Sequence, residues 1–261
     1  MTVNYDRIAP HYHQRYATGS RLSGIATALH AIVRRIGAQD ILEAGCGTGR
    51  WLDELRPVAR SVTGLDLSRG MLAQAQNLSG LNALACGRAT QLPFAPAAFD
   101  LVFCVNALHH FGQPDVFITQ ARRLLRPGGA LAIANMDPHR GTDRWYLYDY
   151  FEGTRETDLR RFPPSGALLD WMAKAGFESV DWQVVEKIKS ELAGRAVFDD
   201  HFLQKHGTSQ LTLLSDEDYA EGRRRIETAV AAAEARGEMA VFTVDVSLVM
   251  ITGFLPPMKR Q

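Results

Sequence analysis

In the stretch ILEAGCGTGR, glycines recur at residues 45, 47 and 49, and a carboxylate, Glu43, stands two residues before the first of them. Glycines at this density let a backbone come close to a ligand. A second carboxylate, Asp66, follows in GLDLS. A glycine loop between a strand and a helix, answered by an acidic residue at the end of the next strand, is the general arrangement for holding a nucleoside. The carboxylate can accept hydrogen bonds from both ribose hydroxyls. Two features disfavour a dinucleotide. The spacing is GxGxG rather than GxGxxG, and Glu43 would repel a pyrophosphate seated at the start of the helix. No Gly-Lys-Ser/Thr follows, so a phosphate loop is excluded too. The site asks for a nucleoside that carries positive charge and no phosphate. Farther along, Asn106 ends an apolar strand, and His109 and His110 follow it. A histidine there could act as a general base for an oxygen or nitrogen nucleophile. It could equally pack beneath the ligand or face solvent.

The hydrophobic spacing predicts the elements that position these residues. Residues 21–37 read as a helix ended by Gly37, DILEAG as a strand, and RWLDELRPVA as a helix with Pro57 near its end. SVTGLDLS is a second strand, and SRGMLAQAQNL a helix capped by Ser68. LNALAC is a weaker third strand, and FDLVFCVNAL a fourth whose unbroken apolar run suits burial on both faces. QPDVFITQARRLLRPGG is a helix with its stop signal, and ALAIANM a fifth strand. This alternation predicts an α/β fold, a parallel sheet with helices on both faces. After residue 136 the rhythm breaks. SGALLDWMAKAG and the segment from Ser215 to Gly237 restore helices, FESVDWQVVEKI reads as a strand, and residues 239–255 form a last one.

An adenosine bearing an ammonium and a sulfonium, without phosphate, meets the demands of the loop; that is S-adenosylmethionine. ILEAGCGTGR, GLDLS, ATQLPFAPAAFDLVFCVNALHHF and LLRPGGALAI resemble, in order and spacing, the class I S-adenosylmethionine-dependent methyltransferases. The chain is most similar to the branch of ubiquinone/menaquinone C-methyltransferases and small-molecule methyltransferases. The resemblance covers about residues 38–136, and the opening YDRIAPHYHQRY is similar to that branch's own. It implies a Rossmann-like seven-stranded sheet with an antiparallel last strand.

The resemblance also implies roles. Gly45, Cys46, Gly47 and Gly49 would pack against the methionine part and ribose, Glu43 would face the amino group, Asp66 would take the ribose hydroxyls, and Leu67 would pack on the adenine. For Glu43, capping of its own loop is the other reading. The third block departs from the family. Arg88 stands where an aspartate usually accepts from the adenine amino group, and arginine has no acceptor. The backbone around Arg88 and Ala89 could serve instead, with the guanidinium stacked on the ring or exposed at the rim. Asn106 would face the methionine end, and His109 is the candidate catalytic base. His110, Asp137, His139 and Tyr146 are candidates for the acceptor side, within an aromatic segment that also holds Trp145, Tyr148 and Tyr150. Trp171 and Trp182 are assigned to packing. Residues 1–20 space Tyr5, Ile8, Tyr12 and Tyr16 on one helical face, interrupted by Pro10 and Gly19. They are expected to form a lid, with Tyr5 and Tyr12 against the cofactor. Residues 21–136 would then be the cofactor-binding core, 137–163 and 189–236 a helical cap on the acceptor side, and 164–188 and 237–261 the completion of the sheet.

Composition narrows the partners. Lys plus Arg equals Asp plus Glu, 29 each, which supplies no electrostatic drive toward nucleic acid or an anionic membrane. There is no apolar run of spanning length and no secretory signal, so a cytoplasmic location is expected. Cys46, Cys86 and Cys104 form no CxxC pair, so no metal site is expected. The expected function is methylation of a small molecule, yielding S-adenosylhomocysteine, by a monomer or homodimer. Methylation of a protein or nucleic acid, or cofactor binding without turnover, are the alternatives.

Overall fold

The computed structural model describes residues 3–12, 22–79, 81 and 83–258; Tyr16 and Gly19 lie outside them. The first half runs α1 (Tyr5–Tyr12), α2 (Ser23–Ile36), β1 (Asp40–Ala44), α3 (Arg50–Leu55), β2 (Ser61–Asp66), α4 (Arg69–Ser79), β3 (Leu84–Cys86), β4 (Phe99–Val105), α5 (Pro114–Leu124) and β5 (Leu125–Met136). The second half adds β6 (Arg144–Trp145), α6 (Tyr146–Tyr150), α7 (Thr154–Arg161), α8 (Ser165–Lys174), β7 (Glu178–Ala193), α9 (Ser209–Thr212), α10 (Asp216–Ala235) and β8 (Val241–Phe254).

Strands β3, β2, β1, β4 and β5 pair in that order, all parallel, and β8 joins β5 antiparallel. The order reverses between β1 and β4, which opens a crevice at their carboxyl ends, where ligands bind in such sheets. β1 is buried at every position and β4 at nearly every one, as their apolar runs require. One face is covered by α2 through Ile25, Leu29, Ile32 and Val33, the other by α5 and α8 through Phe117, Ile118, Leu124, Leu168 and Met172. Each such side chain contributes about 1.5–3 kcal/mol by leaving water. Ser68 caps α4 by accepting from the Met71 N–H, and Gly37 closes α2 at φ +62°.

Among the described residues the sheet has eight strands rather than seven. β8 runs past the end of β5, and the two-residue β6 pairs with it there, at Val244 and Asp245. β7 pairs along the whole of β8 and continues to Ala193, beyond the expected end at residue 188. The charges of KSELA hide that extension, because β7 is an edge strand and edges tolerate charge. The RPGG segment lies inside β5 instead of ending a helix. Trp171 packs against the core, whereas Trp182 is 40% exposed beneath the Arg140 guanidinium. Among the described residues, no helix is long and apolar enough to cross a membrane.

A third cluster sits over the upper half of β8. It joins Tyr146, Leu147 and Phe151 to Val197, Leu211, Ile226, Val230, Phe242 and Val244. Gly222 of α10 admits the ring of Phe151: a β-carbon there would stand 2.1 Å from Phe151 Cδ1. Gly222→Ala should therefore destabilise the fold. The helix-propensity gain of about 1 kcal/mol is outweighed by overpacking of about 1–3 kcal/mol, because the ring is fully buried. Urea unfolding measures this; a variant as stable as the parent would show that the ring can turn aside.

Candidate active site

The loop after β1 is held from two sides. The N–H groups of Gly45 and Cys46 both donate to the Leu65 carbonyl, at 2.7 and 3.0 Å. The Gly47 N–H donates to Asp66 Oδ2 at 2.8 Å, and Asp66 Oδ1 accepts from the Ser68 N–H at 2.8 Å. Two glycines are needed for different reasons. Gly45 sits at φ +72°, and a β-carbon there would come within 2.6 Å of Ala107 Cβ. Gly49, at φ +82°, would drive a β-carbon into Leu81 at 2.5 Å. Gly49 thus serves the packing of α3 against α4 and does not line the ligand cavity, a correction to its assignment as a cofactor contact.

That cavity, about 460 Å³, lies at the carboxyl ends of β1, β2 and β4. It gathers Glu43, Gly45, Cys46, Gly47, Asp66, Leu67, Arg88, Ala89, Asn106, His110, Tyr5 and Tyr12. Glu43 is 1% exposed, and its Oε2 has no hydrogen-bond partner among the described residues. Burial, reinforced by the neighbouring charge of Asp66, pushes its pKa well above the usual carboxyl range. Burial likewise raises Asp66, against the pull of the backbone N–H groups it accepts from. Leu67, apolar yet 59% exposed, offers a flat surface at the rim, and Arg88 is exposed beside the buried Ala89.

The first helix closes one side. Ile8 and Ala9 are buried against Met71, and Asp6 accepts from Ser68 Oγ at 2.6 Å and from the Gly70 N–H at 2.8 Å. These bonds hold the Asp6 carboxyl below its ordinary pKa. Tyr5 reaches His110 Nε2 at 2.6 Å, while Arg161 Nη2 lies 3.2 Å from His110 Nδ1. Arginine can only donate, so Nδ1 accepts, and the imidazole donates from Nε2 to the tyrosine oxygen. Asp6, which sequence reasoning passed over, contacts groups 62 and 64 residues away, a separation no local pattern signals. Thr48, Arg50 and Trp51 also line the cavity and were legible only as neighbours of the glycines.

A second cavity, about 140 Å³, adjoins the first and shares Tyr5, Tyr12 and Asn106 with it. Asn106 sits at φ +49°, an uncommon conformation for a non-glycine residue, on the border between the two. His109 lines the second cavity, stacked on Phe162 at 4.0 Å with its Nδ1 buried and unpartnered. Burial, then the proximity of His110 and Arg161, pulls its pKa well below the ordinary histidine value against an opposite pull from Asn135.

Of the aromatic segment that follows β5, Trp145 and Phe162 line this cavity. Asp137, His139 and Tyr146 line neither cavity, contrary to their assignment to the acceptor. Asp137 is committed to the chain, accepting from the His139 N–H, the Ser165 N–H and Ser165 Oγ. His139 donates to the Phe162 carbonyl, and Tyr146 is buried with its hydroxyl donating to Asp200. The sequence reading missed Phe162, His201, Ser209 and Gln210, all on irregular or short helical segments.

The donor set suits the sulfonium nucleoside. The orphaned oxygen of Glu43 asks for a cationic group, Asp66 keeps lone pairs for hydroxyls, and Leu67 offers an apolar face.

Residues 42–133 match a methyltransferase domain family. The chain is 36% identical over 132 residues to malonyl-acyl-carrier-protein O-methyltransferase of Erwinia billingiae, covering 51% of each protein. It spans two-fifths to three-fifths of the length of the curated relatives compared with it. Among solved structures, a phosphoethanolamine N-methyltransferase 2 of Haemonchus contortus, in complex with S-adenosylhomocysteine, superposes with TM-score 0.59 at 19% identity, over 96% of this chain and 57% of that one. The cyclase SpnF superposes with TM-score 0.62 at 20% identity, over 97% and 94%. At such identities the likeness is one of fold, and the fold serves more than one reaction. The domain match does not single out the quinone branch. It spans the loop, the second acidic block and the fourth and fifth strands together, so over these residues the chain is similar to a methyltransferase domain, the reading that the glycine loop and its two carboxylates also support.

Proposed function

We propose that the protein transfers a methyl group from S-adenosylmethionine to a small-molecule acceptor held in the second cavity. The observation that carries this reading is the buried, unpartnered Glu43 Oε2 in a cavity floored by the Gly45–Gly47 backbone and bounded by Asp66. Bound there, the cofactor supplies an electrophilic methyl on a sulfonium, open to in-line displacement by the acceptor's nucleophile. Glu43 pairs with the ammonium, Asp66 accepts from the ribose hydroxyls, and Leu67, Arg88 and Ala89 flank the adenine. Asn106, Tyr5 and Tyr12, on the border of both cavities, hold the two reactants in line. The segment α1, pinned through Asp6, acts as the cover that excludes water, and residues 137–163 with 189–236 form the acceptor-side cap. A small acceptor is supported by the modest size of the second cavity.

Calorimetry tests the reading through its proton linkage. In the free protein the raised pKa favours the protonated form of Glu43, and an incoming ammonium favours the carboxylate. S-adenosylhomocysteine binding should then release a proton, and affinity should rise with pH up to the raised value. The observed heat should differ between buffers of different ionisation enthalpy, and Glu43→Gln should abolish that difference while weakening binding about tenfold or more, the loss of one charge-assisted hydrogen bond. Tight NAD binding with no response to S-adenosylhomocysteine would overturn the assignment.

A further inference from the structure

The geometry points to the class of acceptor. We infer that the second cavity takes a compact, mainly apolar molecule gripped by its carboxylate; this rests on the function proposed above. Met136, Ile188, Val244, Val246 and Leu248 give the cavity apolar walls. Against them stand donors. Trp145, 7% exposed, has its Nε1–H buried without a partner, and indole nitrogen can only donate. Gln210, 4% exposed, has its Nε2 buried without a partner. Ser209 Oγ accepts from Arg161 Nη1 at 3.1 Å, which leaves its own O–H to donate elsewhere.

These three residues line the second cavity and not the first. They therefore meet the acceptor rather than the cofactor. Among the described residues, no Asp or Glu lines the second cavity. Arg161 stands directly behind Ser209, with Asp158 at 3.7 Å offsetting part of its charge. Buried donors without acceptors are costly to a fold, and a group that only accepts removes that cost. A carboxylate accepts on both oxygens and donates on neither, and it is attracted by the guanidinium. An ammonium would set donors against donors. With its carboxylate engaged by these donors, the acceptor needs another group to receive the methyl, so the favoured substrate is a small acid with a second, methylatable group.

The test uses the whole protein saturated with S-adenosylhomocysteine and titrated with 4-hydroxybenzoate or its neutral counterpart, 4-hydroxybenzyl alcohol. Calorimetry should show the acid binding at least about tenfold more tightly, the scale of one charge-assisted hydrogen bond. Trp145→Phe and Ser209→Ala should each remove about tenfold from the acid's affinity, far less from the alcohol's, and nothing from that of S-adenosylhomocysteine. Should Trp145→Phe fail to fold, Ser209→Ala carries the comparison. Equal binding of acid and alcohol, no binding of either, or indifference of the acid to both substitutions overturns the inference while the cofactor reading stands. Failure of S-adenosylhomocysteine to bind removes the proposed function itself.

Discussion

Replacing Asp66 with alanine is expected to lower affinity for S-adenosylmethionine and S-adenosylhomocysteine by at least about a hundredfold while leaving the protein folded. The carboxylate would accept from two ribose hydroxyls, and charge-assisted hydrogen bonds are worth about 1.5–3 kcal/mol each. It also organises the site, accepting from the N–H groups of Gly47 and Ser68. Its removal therefore frees the glycine loop as well as the contact. Asp66→Asn keeps the shape and loses the charge, so its affinity should fall between the two. Circular dichroism establishes the fold and calorimetry reads the binding. An unchanged dissociation constant in Asp66→Ala would mean that the ribose lies elsewhere.

His109→Gln is expected to cut turnover by about 10²–10⁴, the usual contribution of a positioned acid–base group. His109 lines the second cavity and not the first, so affinity for S-adenosylhomocysteine should be unchanged. The lowered pKa favours the uncharged imidazole, whose unprotonated nitrogen can accept a proton from the acceptor's hydroxyl or amine. The sign matters for the pH profile. Because the pKa is depressed, the competent form exists above that depressed value, so His109 imposes no loss of rate as pH falls through the ordinary histidine range. Steady-state kinetics across pH distinguishes the roles. Equal turnover in His109→Gln would return His109 to packing under Phe162, with which it is stacked.

The cofactor half was legible because its determinants are local. β1 and β4 are buried on both faces, and that alone makes them read as apolar runs. The alternation of strands and helices over residues 40–136 then imposes a parallel sheet and places the loop, Asp66 and Asn106 at one edge of it. Even there, local pattern could not assign each glycine. Gly45, Gly47 and Gly49 look alike in sequence, yet Gly49 faces Leu81, a residue whose position depends on how α4 returns.

The second cavity was not legible, because it is assembled from segments that meet only in the folded chain. Trp145 enters from β6, Ser209 and Gln210 from α9, and Val244 and Val246 from β8. Trp145 and Tyr146 are neighbours in sequence, and both are aromatic and buried, yet one lines the cavity and the other bonds to Asp200. The pairing of Arg144 and Trp145 with Asp245 and Val244 settles which does which. The sequence by itself determined the α/β core, the glycine loop, its two carboxylates and the class of ligand they suit. Tertiary structure alone decided the length of β7, the anchoring of α1 by Asp6 and the lining of the second cavity. Periodicity states which face of an element a residue occupies, but what that face meets depends on contacts between residues far apart in the chain.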